Sequence, residues 1–308
     1  MSMRLSFVNL TGQNHKLIGI GVKSRYNTFS IKKIYGFMLA MQQWRSDFLE
    51  LSPIFRDLKQ ILNDFTWSDW PSCQQLNQIL PTDIANTKGQ CLTLVEQTDE
   101  LLSDGLYYEE RIYRDGVVPT REANWHDFFN AWMFLLFPQT KKEMNRLHVE
   151  HIELYGQKKR SKCRDAITLL DECGVLIPYC DASFKEALTD HQWREAFVNQ
   201  REGWGKSIDA MIIGHANYEK ALDPYIGFTG KALFLPVESD FFNLSLFDKY
   251  SHLDTMLANN LADLMQDNSN LSPLPMLGVP GWWQENQNDQ FYDNTDYFRP
   301  KRRSNRVR

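Results

Sequence analysis

The segment NWHDFFNAWMFLLFP constrains this fold more than any other part of the chain. Its spacing predicts a helix over Trp125–Phe137, which Pro138 ends. Large apolar side chains cover nearly every side of that helix. A helix that is apolar all round is stable only when it is buried, so the remaining chain must enclose it. The polar side chains near its start, His126, Asp127 and Asn130, are therefore either paired in the interior or part of a site.

The composition fits a globular protein with a large interior. Of the 308 residues, 43% are hydrophobic, 24% are charged and 13% are aromatic. The longest apolar run, around 131–137, is far shorter than the roughly 20 residues that span a bilayer. The 5 cysteines form no CxxC pair, which argues against a zinc ribbon or a disulfide framework. We expect a soluble, cytoplasmic protein from a reducing compartment.

Positive charge is concentrated at the two ends of the sequence. Residues 1–46 hold seven Lys or Arg and no acid, and residues 299–308 hold six. Residues 47–298 are left with 21 basic against 39 acidic side chains. Because an acidic body repels nucleic acid, we expect no such partner beyond weak binding by the basic tail. We expect no membrane partner either, which leaves an unidentified small polar ligand or a protein.

Three segments differ in composition and define the predicted domain organisation. Residues 1–41 are basic and lack a firm helical period, which predicts a poorly ordered leader that is dispensable for folding. Residues 42–298 are predicted to form a single globular domain. Residues 299–308 are predicted to be a basic, disordered tail.

Hydrophobic spacing and capping residues predict the elements of the central domain. Predicted helices begin at Ser52-Pro53 and cover Lys141–Tyr155, Arg164–Cys173, Phe184–Phe197, Ser207–Leu222 and Leu244–Met265. Predicted strands cover Cys91–Glu96, Leu106–Tyr113, Val175–Tyr179 and Lys231–Val237. Leu274–Trp283, rich in Pro and Gly, is predicted to be irregular. With no internal repeat and no βαβ rhythm, the pattern indicates a mainly helical α+β domain with a small β-hairpin or short-strand element.

Several long segments resemble a proteobacterial family known as domain of unknown function 3025. They are RIYRDGVVPTR, NWHDFFNAW and FPQTKKEMNRLH within 111–148, RDAITLLDECGV at 164–175, GHANYEKALDPYIGFTGKAL at 214–233, and PLPMLGVPGWW with FYDNTDYFRP within 273–300. The resemblance covers about 50–300 and excludes the leader. It implies kinship but brings no activity, cofactor or catalytic residue.

Three histidines on predicted helices are the candidate metal ligands. His126 lies at the second position of its helix, where the helix N-terminus disfavours a charged imidazole and suits a ligand or a buried hydrogen-bonding group. His148 and His151 are spaced so that they can hold one metal ion, but HVEH is not HExxH and predicts no zincin mechanism. His215 lies on an apolar stripe and is either the third ligand or a satisfied core histidine.

Acidic and basic side chains complete the candidate site. Asp127 either completes a capping box with Asn124 as the N-cap, or serves as a ligand or a base. Asp171 and Glu172 lie near the end of a helix, where negative charge is unfavourable, which indicates a cationic partner, either a lysine or arginine or a metal. The arginines considered for this role are Arg111, Arg114 and Arg121. Arg114 and Arg121 are also candidates to hold an anionic group of a substrate.

Two functions of different classes remain open at this point. The first is a metal-assisted hydrolase acting on a polar or phosphorylated substrate. Its metal ligands are His126, His148 and His215 for a divalent ion, and its catalytic residues are Asp127, Asp171, Arg114 and Arg121. The second is a non-catalytic interaction protein whose His/Asp/Asn cluster is a structural buried network. In either case, His126, Asp127, His148 and Asp171 are predicted to share one cavity.

Overall fold

The structure is a computed structural model, and it describes residues 42–62 and 65–301. The predicted leader and residues 302–308 of the predicted tail lie outside this description. Arg299 and Lys301, at the start of that tail, contact the body: the Arg299 carbonyl accepts a hydrogen bond from Trp193 Nε1, and Lys301 pairs with Asp190. Every helix in the described ranges is too short or too polar to cross a bilayer.

The N-terminal part of the described chain consists of short helices followed by a β–α–β unit. Helix α1 (Arg56–Ile61) and helix α2 (Cys73–Asn77) precede strand β1 (Thr93–Glu96). Helix α3 (Tyr108–Asp115) then leads to strand β2 (Val117–Thr120), which pairs with β1 in parallel.

The prediction of a strand over Leu106–Tyr113, and of no βαβ unit, is wrong. Tyr108 and Ile112 lie one helical turn apart, so the residues that suggest alternation also fit one face of a helix. Gly116 ends this helix with φ 70°, and a Cβ there would collide with the Cys91 carbonyl. The turn into β2 therefore requires glycine.

Three consecutive helices carry most of the candidate residues. They are α4 (Trp125–Leu136), α5 (Pro138–Tyr155) and α6 (Lys162–Cys173), all close to their predicted bounds. Asn124 caps α4 by accepting a hydrogen bond from the Asp127 amide. Helix α4 is buried along most of its length, as its sequence requires. Because Phe137 alone separates the end of α4 from Pro138 at the start of α5, the two helices are neighbours.

A four-stranded mixed sheet lies behind α6. Its strands are β3 (Gly174–Tyr179), β4 (Met211–Ile212), β5 (Thr229–Pro236) and β6 (Leu271–Pro275), in the order β4-β3-β5-β6. Strands β3 and β5 are parallel, and the other two pairs are antiparallel. Because β6 belongs to this sheet, the prediction that Leu274–Trp283 is irregular holds only beyond Pro275.

The remaining helices pack around the sheet. They are α7 (Ala182–Thr189), α8 (His215–Ala221) and α9 (Leu246–Leu264). The helix predicted over Phe184–Phe197 breaks near His191, whose φ of 57° is left-handed. The helix predicted over Ser207–Leu222 is reduced to α8 because Met211–Ile212 pairs with β3 instead. The mainly helical α+β class is confirmed, and its strand component is larger than the predicted hairpin.

Two glycines bring the end of α6 against the start of α8. The Gly214 amide donates to the Gly174 carbonyl at 2.9 Å, and Asn217 Nδ2 donates to the same carbonyl at 3.2 Å. A Cβ at Gly214 would overlap the Gly174 backbone and lie 2.6 Å from the Cys173 amide nitrogen. This close approach places His215 beside the last turn of α6.

We predict that Trp132→Ala destabilises the protein by about 3–5 kcal/mol, because Trp132 is 2% exposed and the substitution leaves a large cavity in α4. Urea melts measure the change in unfolding free energy. Phe247→Ala is the control: Phe247 is 60% exposed, so its loss should cost less than about 0.5 kcal/mol. A Trp132→Ala cost below about 1 kcal/mol would contradict the burial of this helix.

We predict that Gly214→Ala destabilises the protein by about 1–3 kcal/mol, because the atoms that block the new methyl group belong to backbone and cannot rotate away. The substitution should also separate His215 from α6. Urea melts give the energy, and histidine NMR resonances report the displacement. An unchanged melt with unchanged resonances would mean that the contact between the two glycines is not tight.

Candidate metal centre

Three elements contribute one side chain each to a His/Glu/His cluster. His126 comes from the first turn of α4, Glu172 from the last turn of α6, and His215 from the start of α8. The Nε2 atoms of the two histidines are 2.9 Å apart. Glu172 Oε1 lies 3.8 Å from His126 Nε2, and its Oε2 lies 3.7 Å from His215 Nε2. Within the described ranges, these three side chains can hold a metal ion together.

These separations match the dimensions of a small metal site. Nitrogen and oxygen ligands bound tetrahedrally at about 2.05 Å are roughly 3.3 Å from one another. The three observed separations lie on both sides of that value, and side-chain rotation alone can equalise them. Two imidazoles and one carboxylate form the donor set of several catalytic zinc sites, and the same set holds iron in many oxygenases.

A carboxylate lies beside the outer nitrogen of each imidazole. His126 Nδ1 is 3.0 Å from Glu219 Oε2, and His215 Nδ1 is 4.0 Å from Asp171 Oδ1. His215 Nδ1 is fully buried and has no hydrogen-bond partner. A carboxylate that accepts a hydrogen bond from Nδ1 keeps hydrogen on that atom and leaves Nε2 as the metal-binding lone pair. Glu219 is placed to do this for His126, whereas Asp171 is too far from His215 Nδ1 for a hydrogen bond.

The surroundings shift the pKa values of the two histidines in opposite directions. The hydrogen bond to Glu219 raises the pKa of His126, although partial burial opposes the rise. Burial lowers the pKa of His215 to about 4. This upward shift runs against the effect expected from the helix N-terminus, and the hydrogen bond to the Glu219 carboxylate is its largest cause. Burial also raises the pKa of Glu172.

A buried lysine pairs with Asp171, the carboxylate that lies beside His215. Lys141 Nζ on α5 lies 2.7 Å from Asp171 Oδ1 and 2.8 Å from Asn130 Oδ1. Burial disfavours ionisation of Asp171, but the charge and hydrogen bond of Lys141 outweigh it and hold the pKa of Asp171 below its ordinary value. Lys141 thus keeps a carboxylate charged beside His215.

The arginines predicted to neutralise Asp171 and Glu172 have other partners. Arg111 pairs with Asp104, and Arg114 pairs with Asp115. Arg121 donates three hydrogen bonds to Asp127, one from its backbone amide and two from its guanidinium. The prediction that the helix-end acids have a cationic partner holds for Asp171, but the cation is Lys141.

The cluster opens into a polar cavity of about 370 Å³. Its walls come from the β1–β2 unit and from α3 to α6 and α8. Residues on these walls are Gln97, Tyr107, Tyr108, Glu109, Pro119, Arg121, His126, Asp127, Asn130, His148, Arg160, Thr168, Asp171, Glu172 and His215. The four residues predicted to share a cavity therefore all line this one.

The structure separates the predicted site residues into three groups. His126 and His215 meet at the cluster with Glu172. Asp127, Asp171, Arg121 and His148 line the same cavity but are not part of the cluster. His148 is the predicted ligand that the structure does not bring to the other two histidines. Arg114 belongs to α3 but does not line the cavity, and its side chain is half exposed.

Sequence reasoning did not assign Glu172, Glu219 or Lys141 to the site. Glu172 carried a usable signal, an acid in the last turn of a helix where only a cation favours it. Glu219 follows His215 by four residues, which suggested a local pair, whereas its carboxylate contacts His126 on another helix. Lys141 gave no signal, because a lysine in the first turn of an amphipathic helix is ordinarily solvated.

We predict that Lys141→Met costs about 3 kcal/mol of unfolding free energy, because it leaves the Asp171 charge largely buried without a partner. Chemical denaturation measures the loss. Lys59→Met is the matched control: the Lys59–Glu50 pair is exposed and should contribute less than about 1 kcal/mol. Equal effects from the two substitutions would contradict a structural role for Lys141.

A model of one protein family matches this chain over residues 92–302, and its description is protein of unknown function, DUF3025. The match contains all the elements that carry the cluster and the cavity. No curated protein and no solved structure matches the chain. Because the match extends over more than half of the chain, the protein belongs to the DUF3025 family.

Proposed function

We propose that this protein is a metal-dependent hydrolase in which His126, Glu172 and His215 bind one divalent ion. The observation that carries the proposal is the convergence of two imidazole Nε2 atoms and a carboxylate, with a second carboxylate beside each outer nitrogen. If both Nδ1 atoms carry hydrogen, two Nε2 lone pairs face each other at 2.9 Å. A cation bound to both nitrogens would stabilise such an arrangement.

Hydrolysis is the chemistry that best fits three protein ligands. A zinc ion with three ligands keeps a fourth position for water, and it lowers the pKa of that water to about 7. The remaining coordination position would face the cavity, where a substrate has access. The polar walls favour a polar substrate over a lipid or an aromatic one.

Asp127 and Asp171 have supporting roles in this proposal. The Asp127 carboxylate accepts hydrogen bonds from Arg121 and thereby holds that arginine at the cavity wall. Asp171 is held by Lys141 and lies 4.0 Å from His215 Nδ1, where its negative charge favours hydrogen on that nitrogen. Neither carboxylate faces both Nε2 atoms, so we assign the third ligand to Glu172 and not to either aspartate.

The alternative is a non-catalytic protein in which the same residues form a buried network. One observation favours it: 2.9 Å is a hydrogen-bond distance, and the raised pKa of His126 allows one proton to bridge the two Nε2 atoms. In that case Glu219, His126 and His215 form a continuous chain of hydrogen bonds. The ion and the proton compete for the same place, so metal analysis distinguishes the two functions.

We predict that the protein purified without chelator contains about one equivalent of zinc or iron, measured by elemental analysis. His215→Ala and Glu172→Gln should abolish this content. Glu219→Gln should weaken affinity by about 10–100-fold, as loss of an orienting carboxylate does. His148→Ala should retain the metal, because His148 is not part of the cluster, and exposed His252 serves as a second control.

The outcome that contradicts the proposal is a metal-free wild-type protein that does not take up added zinc or iron. If His215→Ala then also loses about 1–3 kcal/mol of stability, the network is structural. If metal binds, hydrolysis of ester, amide and phosphate substrates is assayed with and without chelator. Activity that survives metal removal would show that the reaction does not depend on the metal.

We also propose a cytoplasmic location. The cysteines are all free thiols, and Cys91 and Cys180 are exposed. Exposed free thiols persist most readily in a reducing compartment.

A further inference from the structure

We propose that His148 and Arg160 form an oxyanion-binding subsite in the same cavity as the His126/Glu172/His215 cluster. This inference deepens the proposed function by naming a property of the substrate, which would carry a phosphoryl or carboxylate group. It rests on the proposed function only where it takes the bound anion to be part of the substrate. The subsite itself is argued from residues that do not belong to the cluster.

His148 is a buried polar side chain without a protein partner. It is 6% exposed and lines the cavity, and no hydrogen bond to its ring is found in the described parts of the chain. Its Nδ1 atom is sealed from solvent and unpartnered. Its Nε2 atom also has no hydrogen-bond partner among the described residues but is not sealed from solvent, so it is the ring atom available to a ligand in the cavity. A neutral imidazole with hydrogen on Nε2 donates to an anion.

Arg160 supplies a positive charge that is fixed in position. Its Nε atom pairs with Asp165 at 2.6 Å, and its Nη2 atom donates to Thr168 Oγ1 at 2.6 Å. Thr168 also lines the cavity. These contacts hold the guanidinium plane against the cavity wall, so that an anion meets a preorganised donor.

A second arginine behind the wall strengthens the positive potential. Arg164 is 1% exposed, and no carboxylate lies within 4.0 Å of it among the described residues. Its guanidinium lies 5.9 Å above the ring of Tyr107, which lines the cavity. A buried guanidinium without a paired acid is unfavourable, and an anion bound in front of Tyr107 would offset that cost.

The acids near this subsite each have a donor of their own, and Asp165 pairs with Arg160 itself. Glu109 is the acid on this wall, and its Oε2 accepts a hydrogen bond from Asn145 Nδ2. Asp171 is neutralised by Lys141. Burial lowers the pKa of His148; the charges of Glu109 and Asp171 oppose this shift, and those of Arg164 and Arg160 add to it. His148 therefore acts as a neutral donor, while the arginines supply the charge.

The test is calorimetric titration of inorganic phosphate, and separately of acetate, into the full-length chain after chelator treatment. Removing metal first excludes binding of the anion to a metal ion at the cluster. We expect saturable binding that Arg160→Gln and His148→Phe weaken by at least about 10-fold. Arg114→Gln is the matched control, because Arg114 lies outside the cavity, and it should leave binding unchanged. Preference for phosphate or for acetate distinguishes a phosphoryl substrate from a carboxylate substrate.

Absence of saturable binding of both anions to the wild-type chain overturns the subsite, and so does wild-type affinity in Arg160→Gln. Arg160 is partly exposed, so its substitution should leave the fold intact. Circular dichroism checks His148→Phe, and His148→Gln replaces it if folding fails. Zinc binding without anion binding would reject the subsite alone. Anion binding without metal binding would reject the hydrolase proposal alone.

Discussion

The close backbone contact between Gly174 and Gly214 is the constraint on which the candidate site depends. Neither position has room for a Cβ, so the last turn of α6 and the first turn of α8 meet with no side chain between them. Glu172 and His215 are each within two residues of that contact. A larger separation of the two backbones would move both side chains away from His126. The fold therefore brings the cluster together through two glycines, which have no side chain that could bind metal or react.

Charge is distributed around this contact in a consistent way. Four carboxylates lie close together near the histidines, and three of them have a defined cationic or imidazole partner: Asp127 with Arg121, Asp171 with Lys141, and Glu219 with His126. Glu172 has the weakest contacts, at 3.7 and 3.8 Å from the two Nε2 atoms, and burial raises its pKa. A metal ion would give Glu172 a cationic partner, whereas each of the other three acids already has a partner of its own. The ion would also favour the charged form of the Glu172 carboxylate.

The sequence predicted the helices that carry the site better than the contacts that make it. Helical spacing, Asn124 as a cap and Pro138 as a break located α4 and α5 because these signals are local. His126 and His215 were candidates, but Glu172 was not selected as a ligand because its neighbours are 46 and 43 residues away. His148 was selected from its spacing to His151, yet only the packing of α5 shows that it faces another part of the cavity. The strand predicted over Leu106–Tyr113 failed because alternation and helical spacing coincide in so short a segment.

The most direct test of the central claim is the X-ray absorption spectrum of the zinc-loaded protein. If the contact of Gly174 with Gly214 assembles a site from His126, Glu172 and His215, the spectrum should contain two imidazole nitrogens and carboxylate or water oxygens at about 2.0–2.1 Å. Zinc bound by sulfur, with a distance near 2.3 Å, or zinc with no imidazole scattering, would contradict this assignment.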